Sequence, residues 1–155
     1  MAEQQVGYVD WEDWGLELVM ERGKLRKLLF VEKGKAAEAL EPEMAKACQQ
    51  LLAYLNGNGK AFKLELEPIG TKFQLEVWNA LMEIPYGETR SYKQLAERIG
   101  RPRACRAVGQ AANKNPLPIV IPCHRLVGSN GPLTGYAGGI EIKRRLLELE
   151  RSHLE

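Results

Sequence analysis

Apolar residues recur along this chain at two different spacings, and the switch between them divides it. WGLELVM (14–20) and LRKLLFV (25–31) are β-type runs separated by ERGK, which predicts a hairpin turning at Gly23. From Pro42 to Asn56 the spacing of Met44, Cys48, Leu51, Leu52 and Leu55 is helical, and Asn56-Gly57 closes the helix. FKLELEP (62–68) reads as a further strand, and Pro68-Ile69-Gly70 then marks a boundary. Beyond it the period is helical. Thr71 is placed to cap a helix carrying Phe73, Val77, Trp78 and Leu81 that ends before Pro85. Ser91 caps a second, with Tyr92, Leu95, Ala96 and Ile99 on one face and Gly100 as its stop. RACRAVGQAANK (103–114) forms a third, ending at Asn115-Pro116, and in EIKRRLLELERSHLE (141–155) Leu146, Leu147, Glu150 and Leu154 share a face. The expected class is α/β of the α+β kind. A strand-rich domain with one helix spans 1–69, and a mainly helical domain spans 70–155, with a helix-turn-helix of winged-helix type.

Composition narrows the class of molecule. With 45% apolar and 27% charged residues the 155-residue chain is globular in character, and no apolar run approaches the roughly 20 residues of a membrane span. The start, MAEQQVGYVDWEDW, has neither a basic opening nor an apolar core, so no signal peptide and a cytoplasmic location are expected. Three cysteines (Cys48, Cys105, Cys123) and two histidines (His124, His153) offer neither a disulfide framework nor zinc-ligand spacing. Charge is uneven: residues 1–70 carry nine Lys and Arg against twelve Asp and Glu, residues 71–155 thirteen against eight. Between 90 and 125 eight basic residues face one acid, Glu97, which reads as a footprint for a polyanion or as an ordinary solvated basic face. The third helix is thin, with Ala104, Ala107, Gly109, Ala111 and Ala112, and carries Arg103, Arg106, Gln110 and Asn113 on one face. Close approach to a nucleic-acid backbone and close packing on a protein neighbour both fit it.

The segment NPLPIVIPCHRLVG (115–128) holds the chemistry. Pro116, Pro118 and Pro122 stiffen the approach to Cys123-His124-Arg125, and imidazole and guanidinium neighbours would favour the nucleophilic thiolate of Cys123. Glu150, a carboxylate within an apolar stripe, is either the orienter of a histidine in a nucleophile–base–orienter triad or a residue at the rim of the core. TGYAGG (134–139) is a glycine-rich turn with Tyr136 available to line a flat pocket.

Taken together, FQLEVWNAL, IPYGETRSYKQLA, ACRAVGQAANKNPLPIVIPCHR and GYAGGIEIKRRLLELE resemble, in order and spacing, the O6-alkylguanine-DNA alkyltransferases (methylated-DNA–protein-cysteine methyltransferases). The resemblance runs from about Gly70 to Glu150; the first half matches in general character only. It implies that Cys123 accepts the alkyl group, that His124 deprotonates it through a water, and that Glu150 orients His124. It further implies that Asn115 holds the site's backbone and that Tyr92 meets the 3′ phosphate and donates a proton to the guanine ring. Arg106 would fill the gap left by the extruded nucleotide, with Ser91, Arg103, Gln110 and Asn113 beside it on the DNA. Leu126, Pro118, Tyr136, Ala137 and Gly138 would surround the guanine. The implied partner is double-stranded DNA containing O6-alkylguanine, met by a monomer with no cofactor, metal or membrane; cooperativity along DNA is left open. Two positions depart from the family's pattern: Ala137 stands where many relatives have serine, and Leu149 where a histidine often precedes the glutamate. Rival readings are a lesion-binding relative without transfer chemistry, a winged-helix regulator and a Cys-His hydrolase.

Overall fold

The computed structural model of the chain describes residues 4–37, 40–128 and 139–154. It is a mixed α+β structure whose contacts form two compact units, Met1–Ile69 and Gly70–Glu155.

The first unit is an antiparallel sheet in the order β1 (Gln4–Trp11), β2 (Trp14–Glu21), β3 (Lys24–Val31), with helix α1 (Pro42–Leu55) against it. The β2–β3 turn lies where ERGK predicts it: Arg22 and Gly23 have φ of 56° and 75°, the twin positive values of a type I′ hairpin turn. β1 is an addition to the sequence reading. Its alternation breaks at Gly7, where a Cβ would lie 2.7 Å from Met44 Sδ, so the glycine lets α1 approach the sheet. FKLELEP forms no full strand. It runs extended beside β3 and makes one parallel bridge, with the Leu25 amide donating to Glu65 O (2.8 Å) and the Glu67 amide to Leu25 O (2.9 Å). Alternation alone predicts an extended segment, not the partner needed to make it a ladder.

The second unit is helical. α2 (Lys72–Leu81) and α3 (Tyr92–Arg98) open with reciprocal capping boxes, Thr71 with Gln74 and Ser91 with Gln94, in which hydroxyl and amide side chains satisfy each other's orphan backbone groups. α3 ends at Gly100 (φ 77°), and α4 (Cys105–Asn113) follows, completing the helix-turn-helix pair; both helices pack on α2. The buried Trp78 indole donates to Ala111 O at 2.9 Å, tying α2 to the end of α4. A single 3-10 turn, Cys123–Arg125, leads into β5 (Leu126–Val127), which pairs in parallel with β4 (Arg90–Ser91). α5 (Ile140–Ser152) packs on that turn. Its buried face is Ile142, Lys143, Leu146, Leu149 and Glu150. Leu147 is only half-buried and Leu154 is exposed, so the stripe is rotated from the one read in the sequence and includes a lysine.

Candidate active site on the Cys123 turn

Between α4 and β5 the chain must bring a nucleophile to a fixed point without regular structure, and Asn115 does most of the fixing. Its Nδ2 donates to Ile121 O (2.8 Å) and its Oδ1 accepts from the Leu117 amide (2.9 Å), so one side chain closes the Leu117–Ile121 loop. The Ile121 amide donates to Leu117 O (2.8 Å) and the Cys123 amide to Ile121 O (2.7 Å), stacking two tight turns. Pro118 is buried inside them. Ile119, a β-branched residue 1% exposed, sits at φ 77°. That conformation is costly for such a side chain and persists only where the surroundings dictate it.

Cys123, His124 and Arg125 are all buried. Glu150 enters from α5 and is only 1% exposed. Its Oε2 lies 2.7 Å from His124 Nε2 and accepts from Arg125 Nη2 at 2.8 Å, while its Oε1 accepts from Arg125 Nε (2.9 Å) and the Gly87 amide (3.0 Å). Arg125 Nη1 donates to Ile84 O at 2.7 Å, and its guanidinium lies 5.6 Å from the centre of the Tyr86 ring. Gly87 has φ 81° and faces Leu154 so closely that a Cβ there would lie 2.0 Å from Cδ2. Only glycine serves there.

Burial holds the His124 imidazole below its usual range, outweighing the Glu150 hydrogen bond that favours its charged form; Arg125 and Lys143 add to the lowering. The ring is therefore neutral at neutral pH. With Nε2–H assigned as the donor to Glu150, the lone pair is on Nδ1, the nitrogen that can accept a proton.

The thiolate expectation is corrected. Burial pushes the Cys123 thiol up to about 11, against the smaller lowering effects of an Asn115 hydrogen bond and the Lys143 charge. His124 and Arg125, the neighbours credited from the sequence, are turned toward Glu150 instead. Lys143, missed in the sequence, is fully buried, its Nζ donating to Leu126 O at 2.6 Å; burial pulls it down to about 8 while Cys123 pulls it back up. A lysine on a helix reads as a solvent residue, and no spacing signal marks this one.

The remaining expected residues lie on α3 and α4. Ser91 is the N-cap of α3 and Tyr92 its first residue, and the β4–β5 pairing sets Ser91 opposite Val127, just past the cysteine turn. A Cβ on Gly109 would lie 3.3 Å from Tyr92 Cε1, so the thin helix lets that ring lie against α4. Arg103, Arg106, Gln110 and Asn113 are exposed. Leu126 is buried and offers its carbonyl to Lys143. Tyr136, Ala137 and Gly138 lie outside the described residues. Among the described residues no cluster of three or more His, Cys, Asp or Glu side chains could hold a metal ion, and no helix is long and apolar enough to cross a membrane.

The basic footprint is smaller than the sequence count. Arg90, Arg98, Arg101 and Arg125 pair with Glu88, Glu83, Glu76 and Glu150. Among the described residues, Lys93, Arg103, Arg106 and Lys114 form no ion pair, and all four are exposed.

Comparison with known proteins meets this geometry at the same segment. The family model described as "6-O-methylguanine DNA methyltransferase, DNA binding domain" matches residues 72–152, from the start of α2 to the end of α5. The chain is 59% identical over 108 residues to the methylated-DNA–protein-cysteine methyltransferase of Methanosarcina barkeri, covering 70% of this chain and 68% of that one. It is 57% identical over 106 residues to that of Mycobacterium tuberculosis, covering 68% and 64%. The crystal structure of Mycobacterium tuberculosis OGT in complex with DNA superposes with a TM-score of 0.86 at 45% identity, over 96% of this chain and 93% of that one. A buried His124–Glu150 pair next in sequence to a buried cysteine, beside a basic helix pair and in a segment matched throughout, places this chain in the 6-O-methylguanine DNA methyltransferase family.

Proposed function

We propose that Cys123 takes an alkyl group from O6-alkylguanine in DNA, with His124, Glu150, Asn115 and Tyr92 serving the transfer. The observation that carries this reading is the hydrogen-bonded chain from Glu150 to the neutral imidazole of His124, next in sequence to a buried thiol on a pinned turn. The chemistry is direct reversal of DNA damage. Its sulfur displaces the guanine O6 from the alkyl carbon, so a carbon–oxygen bond breaks as a carbon–sulfur bond forms. The thiol proton passes to His124 Nδ1, and Glu150 stabilises the imidazolium that results. Tyr92 gives a proton to the leaving purine, which keeps negative charge from building up on it. The alkyl carbon is hidden in a stacked duplex, so the nucleotide has to be turned out, at a cost of a few kcal/mol. Arg106 fills the gap, with Ser91, Arg103, Gln110 and Asn113 along the backbone. Leu126, Pro118, Tyr136, Ala137 and Gly138 line the guanine pocket. The thioether has no easy route to hydrolysis, so each molecule acts once. In this reading residues 70–155 carry DNA binding and chemistry, residues 1–69 support them, and the protein resides in the cytoplasm, where its three free thiols stay reduced.

The test is labelled methyl transfer from O6-methylguanine duplex DNA. Wild type should take up one methyl per molecule, on Cys123 by mass spectrometry, and Cys123→Ala none. DNA binding without transfer by either would make this a lesion-binding protein; released product without an adduct would make it a hydrolase.

A further inference from the structure

Glu150 has two suitors. In a nucleophile–base–orienter triad the carboxylate serves the imidazole and stabilises its charged form. Here the larger share of its hydrogen bonds comes from a guanidinium: Arg125 Nε and Nη2 reach both oxygens, at 2.9 Å to Oε1 and 2.8 Å to Oε2, whereas His124 Nε2 reaches Oε2 alone at 2.7 Å. Arg125 is itself anchored, by Ile84 O at 2.7 Å and by the Tyr86 ring, and is 7% exposed. Nothing in the transfer chemistry above uses it.

We propose that Arg125 is a positioning residue for the proton transfer: by holding both oxygens of Glu150 it makes that carboxylate an orienting acceptor instead of a free counter-charge, and so keeps His124 neutral and able to accept a proton. This rests on the reading of His124 as the base.

The charges around the imidazole are few. Glu150 and Lys143 face it from α5, and Arg125 and the thiol of Cys123 share its own turn. Tyr86 borders the Arg125–Glu150 pair from the Ile84–Gly87 loop. From α2, the buried residues Val77, Trp78, Ala80 and Leu81 bring nothing that titrates. Among the described residues Glu150 is thus the single anion there, and Arg125 the cation bound to it in a bidentate grip. Without that cation the buried carboxylate would keep only the neutral Gly87 amide beside the imidazole, and its charge would draw a proton onto the ring. A ring already protonated cannot take the proton of Cys123.

Ring-nitrogen chemical shifts read the His124 titration in the free protein, with a His153→Gln variant to assign the two rings. In Arg125→Gln the His124 midpoint should rise by about one pH unit, the scale of losing one close charge. The acid limb of the transfer rate should move up with it. Arg125→Lys should leave the midpoint near wild type, because the charge remains, and lower the transfer rate on the plateau several-fold, because an ammonium cannot grip both oxygens. An unchanged midpoint in Arg125→Gln overturns the proposal. Should that variant not fold, Arg125→Lys carries the test, since it keeps the charge and loses the two-oxygen grip; an unchanged plateau rate in Arg125→Lys then overturns the proposal. The titrations need no DNA. Failure of the transfer reading would show separately, as a wild-type protein that takes up no methyl.

Discussion

Cys123 is protonated in the resting protein, which changes what its neighbours must do. Burial outweighs every favourable charge, so the thiol is held at about 11 and thiolate forms only when a base takes the proton during reaction. Absorbance of the thiolate should therefore titrate near that value in wild type, and higher in Asn115→Ala, which removes a hydrogen bond that favours ionisation; an unshifted midpoint would remove Asn115 from the site's electrostatics. Stability carries a second signature. The folded His124 pKa lies below the ordinary histidine value of 6.5, so the unfolded chain binds the extra proton first and stability is lost as pH falls below about 6.5. Denaturant midpoints should show that loss in wild type and a flatter profile in His124→Gln. At this scale the sequence was uneven. The family resemblance singled out Cys123, His124 and Glu150, and the fold brings the last two into hydrogen-bond contact. Lys143 and the carboxylate grip of Arg125 left no such mark, since only the fold determines which long side chain turns inward.

Among the elements, those closed by local chemistry were the legible ones. Thr71 and Ser91 were readable as caps because capping depends on residues three apart, and both boxes are formed. β1 and the 62–68 segment depended on distant partners: β1 on a glycine that admits α1, and 62–68 on a single bridge to Leu25. Ser91→Ala should cost about 1 kcal/mol in urea unfolding, as lost N-caps do. Because that cap also pairs with Val127, repair of duplex DNA should suffer along with α3; full stability after the substitution would contradict the capping role. Arg106 lies exposed on α4, and Arg106→Ala should slow repair in duplex DNA more than reaction with free O6-alkylguanine. Equal losses would deny it the gap-filling role.

For the whole molecule, charge gave a direction and the structure a count. The second half carries the net positive charge, as the sequence shows, but half of the cations between 90 and 125 are paired with acids, which leaves Lys93, Arg103, Arg106 and Lys114 as the candidates for phosphate contact. Affinity for DNA should fall with salt, with a log–log slope of about −0.9 for each phosphate neutralised. A slope near −4 would fit that count, and a flat response would contradict the footprint. The depth of Cys123 has a consequence beyond rate. A protein used up by its own product cannot afford to react with stray electrophiles. A sulfur enclosed in the fold and still carrying its hydrogen is shielded from electrophiles that do not fit the site, which would meet the more accessible Cys105 first. Discrimination against stray reagents is thus built into the resting state.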